Sequence, residues 1–362
     1  MKARIAFLPG DGIGAEVLRE ARRVLEVIAS EHNHTFEFVE GSIGGGAIDQ
    51  YGEPLPKETR DICLGSNAVL LGAVGSPKHD HLPPSKRPER GLLDLRSMLG
   101  NYANLRPVTV PEALVDSSPL RKEIVRGVDL LIVRELLGGI YFGSPRGMEK
   151  DQAFNTEIYS RDEVRRVAKI AFKLAQHRRR TVTSVDKANV LESSQLWRET
   201  CAEVAKQFTD VAFSNMYVDN CAMQIVARPQ QFDVIVTNNM FGDILSDEAS
   251  MLPGSLGMLP SASIGGNVGL YEPVHGSAPD IVGKGLANPL GAISSAAMLL
   301  EHSLELSREA IKIERAIIKV LSRGYRTADL KSRSREKAKE RIVPTKEMGE
   351  LICDYIRMPD AT

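Results

Sequence analysis

FDVIVTNNMFGDILSDEAS, residues 232–250, runs an apolar strand straight into a helix, and that junction sets the fold class. FDVIVT (232–237) has the length and composition of a buried strand, and NNMFGD then turns into a helical pattern. Asp243 and Asp247 fall four residues apart and so share one helix face. Like charges at that spacing repel by roughly 0.2–0.5 kcal/mol in an isolated helix. Two readings compete. Either both carboxylates lie near the helix start, where the macrodipole favours negative charge, or they converge on a hard divalent cation that wants oxygen ligands. Taken alone, the stretch favours the first.

Working outward, short β-rich runs alternate with helical patterns. ARIAFL (3–8) precedes the helix AEVLREARRVLEVIA (15–29), FEFVE (36–40), a helix near 57–63 and NAVLLG (67–72). VDLLIVRE (128–135), DEVRRVAKIAFKLAQHR (162–178), VTSVD (182–186), a helix to about 207 and VAFSNMYV (211–218) continue the series. Alternation of this kind predicts an α/β protein with substantial parallel sheet. The last 70 or so residues read as mostly helical, with AISSAAMLLEHSLELS and REAIKIERAIIKVL apolar on one face. Residues 75–91 and 271–289 break the pattern; they are rich in Pro or Gly, aperiodic, and long enough to suggest ligand sites or lids. Residues 138–160 read as hairpin material, an arm suited to an oligomer contact or a plain surface hairpin.

The totals exclude several classes. The chain has 362 residues, enough for about two domains, with 43% hydrophobic and 26% charged residues. A net charge of −1 gives no global attraction to nucleic acid or anionic membranes. The basic stretches HRRRT (177–181) and KSRSREKAKER (331–341) read as a helix end and a solvated helix face. No apolar run approaches the roughly 20 residues of a membrane span. Cys63, Cys201, Cys221 and Cys353 are scattered, with no C-x-x-C pair, which points away from zinc and redox motifs and fits a cytoplasmic location.

Several motifs then bid for the chemistry. LPGDGIGA (8–15) satisfies G-x-G-x-x-G/A through Gly10, Gly12 and Ala15, with Glu40 some 25 residues on, and makes a Rossmann case. A silent dinucleotide-binding protein is the non-enzyme alternative that this motif supports. Ser184–Lys187 matches S-x-x-K, but the accompanying S-D-N and K-T-G elements are missing. Lys187 follows a strand and precedes a helix; a helix start disfavours a nearby ammonium, so a lysine there suits proton acceptance. An ordinary lysine in a βα loop is the plain alternative. Arg96, Arg106 and Arg134 each stand at an element boundary, where a guanidinium fork suits a carboxylate or a structural ion pair. Together with Tyr141 and the two aspartates they suggest a multiply anionic small ligand with a metal.

The ordered series PGDGIGAEV, RPERGLLDLR, YANLRP, VRELLGGIYFG, VDKANVLE, YVDN, FGDILSD, LPGSLGMLPSAS and EPVHGSAPDI…ANP resembles the isocitrate/isopropylmalate family of metal-dependent β-decarboxylating dehydrogenases along nearly the whole chain. The resemblance implies two interleaved α/β domains around a mixed parallel/antiparallel sheet, not a Rossmann fold. Residues 1–101 and 254–362 would form the cofactor-side domain. Residues 102–253 would form the substrate, metal and dimerisation domain, with an arm near 138–160 and a cleft between the domains. It further implies a homodimer with shared active sites, and no nucleic-acid or membrane partner.

Residue roles follow from the same resemblance. Asp243 and Asp247, with Asp219 of a second copy, would hold Mg²⁺ or Mn²⁺; a K⁺ requirement stays open. Asp219 would also lie against substrate, whose carboxylates Arg96, Arg106 and Arg134 would bind. Tyr141 and Lys187 of the second copy would be the acid–base pair. NAD is the implied cofactor, because Asp280 would accept the adenosine ribose hydroxyls and Ile281 offers no cation to a 2′-phosphate. The cofactor set would comprise Ile13, Glu89, His275, Gly276, Ser277, Ala278, Asp280, Ile281 and Asn288. Leu92 and Leu93 would face the substrate's variable group, with Val190 of the second copy completing the wall. An apolar wall there suits the alkyl of 3-isopropylmalate and would leave a third carboxylate unpaired, the objection to isocitrate, homoisocitrate or tartrate. The implied reaction is oxidative decarboxylation to 4-methyl-2-oxopentanoate and CO₂. Leu137 and Asn220–Cys221 depart from the family pattern without touching these roles.

Overall fold

Fourteen strands are found among residues 1–333 and 340–358, which the computed structural model describes. In chain order they are β1 (Lys2–Gly10), β2 (Thr35–Glu40), β3 (Ala68–Ala73), β4 (Ala103–Thr109), β5 (Asp129–Glu135), β6 (Gly147–Met148) and β7 (Ala153–Phe154). Then come β8 (Thr181–Asp186), β9 (Ala212–Tyr217), β10 (Val234–Thr237), β11 (Pro260–Ile264), β12 (Gly269–Pro273), β13 (Tyr325–Arg326) and β14 (Arg341–Ile342). The basic stretch 331–341, read above as a helix face, lies for the most part outside the described residues.

The chain divides into two compact units. The first comprises Met1–Gly100, Pro111–Ser118 and Pro253–Thr362; the second comprises Asn101–Val110 and Pro119–Leu252. Residues 111–118, assigned above to the second domain, cluster with the first, to which hydrogen bonds tie them. Arg326 Nη2 donates to Ala113 O (2.5 Å) and Ser117 Oγ donates to Leu330 O (2.6 Å).

In the first unit the strand order is β2-β1-β3-β12-β11, parallel except for the antiparallel β11–β12 pair. The helices Gly14–Glu31, Leu290–His302, Ser307–Ser322 and Thr345–Arg357 belong to this unit. Every residue of β3 is buried, as expected of a parallel strand covered on both faces. Leu8, Leu55, Leu71, Leu95, Leu99 and Leu270 are among the residues of a core cluster that fixes one face of the helix Pro88–Leu99.

The second unit has the order β4-β5-β10-β8-β9, with β4 antiparallel to β5 and the remaining pairs parallel. Its helix Arg161–Gln176 buries Val164, Val167, Ala168, Ala171, Phe172 and Ala175, one stripe at helical spacing. A capping box, Ser160 with Glu163, starts that helix. At its far end Arg178 Nε donates to the buried Asp233 (2.9 Å), so the basic run at 177–181 is a helix end with a structural ion pair. The hairpin expected at 138–160 is present as the short antiparallel pair β6–β7. Both units carry an antiparallel pair, so neither is a doubly wound Rossmann sheet.

The N-terminal glycines have another cause. Gly10 (φ +69°) and Gly12 (φ +58°) lie in the left-handed region, and a Cβ on them would sit 1.9 Å from Ala73 O and 2.0 Å from Ser277 O. Backbone touches backbone here, and only glycine fits. Asp11 between them is buried, and its carboxylate accepts from the amides of Gly45 (2.9 Å), Gly46 (3.0 Å) and Gly75 (2.9 Å).

Among the described residues no helix is long and apolar enough to cross a membrane. All four cysteines are buried free thiols; burial pushes Cys63, Cys201 and Cys221 up to about 12 and Cys353 to about 11, so they are poor nucleophiles.

Gly10→Ala adds left-handed strain and a backbone collision, whereas Ser160→Ala removes a cap worth about 1 kcal/mol. Urea unfolding is expected to show a lower midpoint for both, with the Gly10→Ala loss at least twice the other.

Candidate active site

Arg134 is the last residue but one of β5, paired in register with Asn104 on β4 and Thr237 on β10. Ligands of open α/β sheets gather at such carboxyl ends of parallel strands. From Thr237 the chain passes through Asn238 into the helix Asn239–Ala249, and the Asn238 side chain caps it by accepting from Phe241 N (2.8 Å). Asp243 and Asp247 are the fifth and ninth residues of that helix, and its first turn carries no acid. The macrodipole reading of the pair is therefore wrong, since that effect fades within one turn. Guanidinium groups do the balancing instead.

Arg134 is only 3% exposed, and its Nη1 donates to Asp243 Oδ1. Arg106, also buried, approaches Asp243 Oδ1 (3.5 Å) and donates to Asp247 Oδ1 (3.3 Å) and Ser246 Oγ (2.6 Å). Its Nε donates to Asn104 Oδ1 (2.8 Å). Tyr141 donates its hydroxyl to Asp243 Oδ2 (3.0 Å), and the Arg134 guanidinium lies 5.8 Å from its ring centre. Burial, then the Asp243 carboxylate, raises the Tyr141 phenol above its ordinary value, so it keeps its proton at neutral pH. Gly242 makes room for this arrangement: a Cβ there would lie 2.7 Å from the Arg134 stem. The second unit thus brings Arg106, Arg134, Tyr141, Asp243 and Asp247 together.

Lys187 and Asp219 form a pair of their own, Nζ to Oδ1 at 3.0 Å, and this contact holds the Asp219 carboxyl below its usual range. The helix after Lys187 begins only at Glu192, so the expected helix-start effect on the ammonium does not apply. Asp186 fixes the turn before it by accepting from Arg198 Nε (2.9 Å), Arg198 Nη2 (2.8 Å) and Ala188 N (2.9 Å). Arg198 also covers the ring of Tyr217, which precedes the helix Val218–Ala227 that carries Asp219. Val190 is 62% exposed. Among the described residues no group of three or more His, Cys, Asp or Glu side chains is arranged to hold a metal.

In the first unit Pro88 opens the helix Pro88–Leu99 inside what reads as an aperiodic loop, and Glu89 lies in its first turn. A Cβ on Gly75 would lie 3.4 Å from both Glu89 Oε1 and Ser277 Oγ, so these two side chains flank one point. Ile13 N donates to Ser277 O (2.9 Å). His275 is buried; burial lowers it below the ordinary imidazole value, Nδ1 meets Gly276 O (2.9 Å), and no partner reaches Nε2 among the described residues. Gly276 faces open space. Ala278 adopts φ +39°, unusual for a residue with a side chain, and leads into the turn Pro279–Ile281 that exposes Asp280. Asn288 spends its amide within the fold, donating to Asp329 (3.0 Å) and accepting from Leu290 N (3.0 Å).

Further along, Arg96 Nη2 donates to Glu272 Oε1 (2.7 Å), while its buried Nε has no partner among the described residues. Leu92 and Leu93 are half-buried, and Leu92 rests on the core cluster.

The match of this chain to known proteins is extensive. The isocitrate/isopropylmalate dehydrogenase family model matches residues 4–352. The chain belongs to the isocitrate/isopropylmalate dehydrogenase family. It is 56% identical to the 3-isopropylmalate dehydrogenase of Thermotoga maritima over 97% of this chain and 98% of that protein. It is 57% identical to the 3-isopropylmalate dehydrogenase of Clostridium pasteurianum over 98% and 99%. Among solved structures, isocitrate dehydrogenase from Methylococcus capsulatus superposes with a TM-score of 0.85 at 35% identity, covering 98% of this chain and 99% of that one. The α/β fold with mixed strand directions is accordingly that of the isocitrate/isopropylmalate dehydrogenase family.

Asn104, Ser246, Asn239, Asp186 and Arg198 are site residues that sequence reasoning missed. Asn238–Asn239 at a strand-to-helix junction carried a usable capping signal. Asp186 and Arg198 pair across 12 residues with no local signature.

Left-handed backbone costs a residue bearing a Cβ about 1–2 kcal/mol. Ala278→Gly relieves this while adding unfolded-chain entropy. A rise of up to about 1 kcal/mol in stability is expected, read as a higher melting temperature.

Proposed function

We propose that the chain catalyses the NAD-dependent oxidative decarboxylation of 3-isopropylmalate to 4-methyl-2-oxopentanoate and CO₂, a step of leucine biosynthesis, as a cytoplasmic homodimer. The observation that carries the reading is the convergence of Arg106, Arg134 and Tyr141 on Asp243, one helical turn from Asp247. Curated relatives more than half identical in sequence bear the name of this substrate.

The donor sets fit the implied groups. Two carboxylates, Asp243 and the exposed Asp247, offer hard oxygen ligands suited to Mg²⁺ or Mn²⁺. One chain offers two, and Asp219 of a second copy would complete the set. NAD would be held by Ile13, Glu89 and the 275–288 loop, where the buried unpaired Nε2 of His275 awaits a polar partner and Asp280 suits ribose hydroxyls. When bound, the metal would supply Lewis acidity at the substrate oxygens and the nicotinamide a hydride acceptor.

The chain's own residues do the rest. Arg106 and Arg134 are fixed forks for carboxylates, and Arg96 keeps an unpaired donor for another. Lys187 of the second copy, paired with the Asp219 of that same copy, takes the proton of the C2 hydroxyl. Tyr141, held protonated by burial, returns a proton to C3 after CO₂ has left. Leu92 and Leu93, with Val190 of the second copy, would line the alkyl group. Exposed apolar side chains on the second unit, Met148, Phe154, Met223 and Ile244, support a subunit contact.

Steady-state rates with NAD and Mg²⁺ for 3-isopropylmalate, isocitrate, homoisocitrate and tartrate test the substrate. A preference for 3-isopropylmalate of about 100-fold in kcat/KM is expected, roughly 2.8 kcal/mol and near the top of the range that an unpaired polar group costs; a preference for isocitrate would overturn it. Asp243→Asn is expected to lose turnover and Mn²⁺ binding with its fold intact, read as an unchanged circular-dichroism spectrum, while its melting temperature falls because Arg134 loses its charge partner.

A further inference from the structure

We propose that Asn239 is a positioning residue that sets Arg134 and the Tyr141 loop with one carboxamide. The role rests on the functional reading above and names a group outside the family roles given there. Asn239 is the first residue of the helix Asn239–Ala249 and is 1% exposed. Its Oδ1 accepts from Arg134 Nε (3.0 Å) and Nη2 (2.8 Å), which fixes the plane of the guanidinium and aims Nη1 at Asp243. Its Nδ2 donates to Leu136 O (3.0 Å) and Gly138 O (3.2 Å), the backbone that leads into the turn Gly139–Tyr141. Its backbone N–H donates to Tyr159 Oη (2.9 Å), and the Tyr159 ring bounds the space beside Gly138 and Gly139.

A carboxamide has two donors and an oxygen with two lone pairs, and every one is used here. One face orients the fork that grips substrate. The opposite face tethers the peptide that carries the acid. A helix residue that only filled space would need neither, and leucine would serve. Because guanidinium recognition depends on the fork's orientation, and misplacement of about 1 Å can cost a hundredfold in rate, the effect is expected to reach kinetics before stability.

A double-mutant cycle separates this role from packing. Asn239→Ala is expected to raise KM for 3-isopropylmalate about tenfold and lower kcat, with KM for NAD within twofold of wild type. In an Arg134→Lys background the same change should move the substrate KM less than twofold, because an ammonium has no plane to set. The Arg134 Nε–H resonance, slow to exchange in wild type, should exchange at least tenfold faster in Asn239→Ala. Asn239→Asp keeps an acceptor for the fork and loses both donors, so its Arg134 Nε–H should stay slow while kcat falls. An unchanged Arg134 Nε–H in Asn239→Ala, a fast one in Asn239→Asp, or an equal KM effect in both backgrounds would overturn the proposal. If wild type turned over none of the four acids, the functional reading would fall, and the exchange measurements alone would still decide the role of Asn239.

Discussion

A guanidinium almost sealed from water must find acceptors, and Arg134 at the carboxyl end of β5 imposes that demand on everything around it. Asn239 answers two of its donors and Asp243 a third, so the helix Asn239–Ala249 has to start where it does. Gly242 follows from the same demand, because any side chain there would meet the arginine stem. Tyr141 is then held by the carboxylate that the arginine has fixed. The chemistry of the second unit is thus a consequence of one buried cation and its neutralisation. A pair of aspartates that looks self-repelling in the sequence is stabilised by two arginines from adjacent strands.

The first unit is organised by the opposite means, close contact of uncharged backbone. Gly10, Gly12 and Gly14 are required because Ala73 and Ser277 leave no space for a Cβ. The result imitates a dinucleotide fingerprint without its fold. A glycine pattern reports how near two chains must pass. It does not report which ligand, if any, lies beyond them.

Much of this was legible in the sequence, for physical reasons that can be named. Buried strands such as β3 and β10 announce themselves as unbroken apolar runs, and the helix Arg161–Gln176 by its apolar stripe and Ser160–Glu163 cap. Arg106, Arg134, Tyr141, Asp243 and Asp247 were each identifiable, and the structure brings them together. What stayed hidden depends on contacts between distant residues. The macrodipole reading of Asp243 failed because the helix starts at Asn239, a boundary that periodicity locates only to within a few residues. The loop at 75–91 concealed a helix start because Pro88 reads as a breaker until its place at the first helical position is known. Asn239 was not singled out, since nothing local reveals that its amide bridges a strand end and a loop.

The Asp11 carboxylate has one further consequence. It receives amides from the first two residues of the helix Gly45–Tyr51 and from Gly75, segments about 30 residues apart in sequence, on a single side chain. Releasing either segment leaves the buried carboxylate short of a donor, so each segment helps to satisfy a charge that the other also holds. The three peptide groups thus share one anchor, and the base of the 75–91 segment is tied to the start of a helix it never touches in sequence.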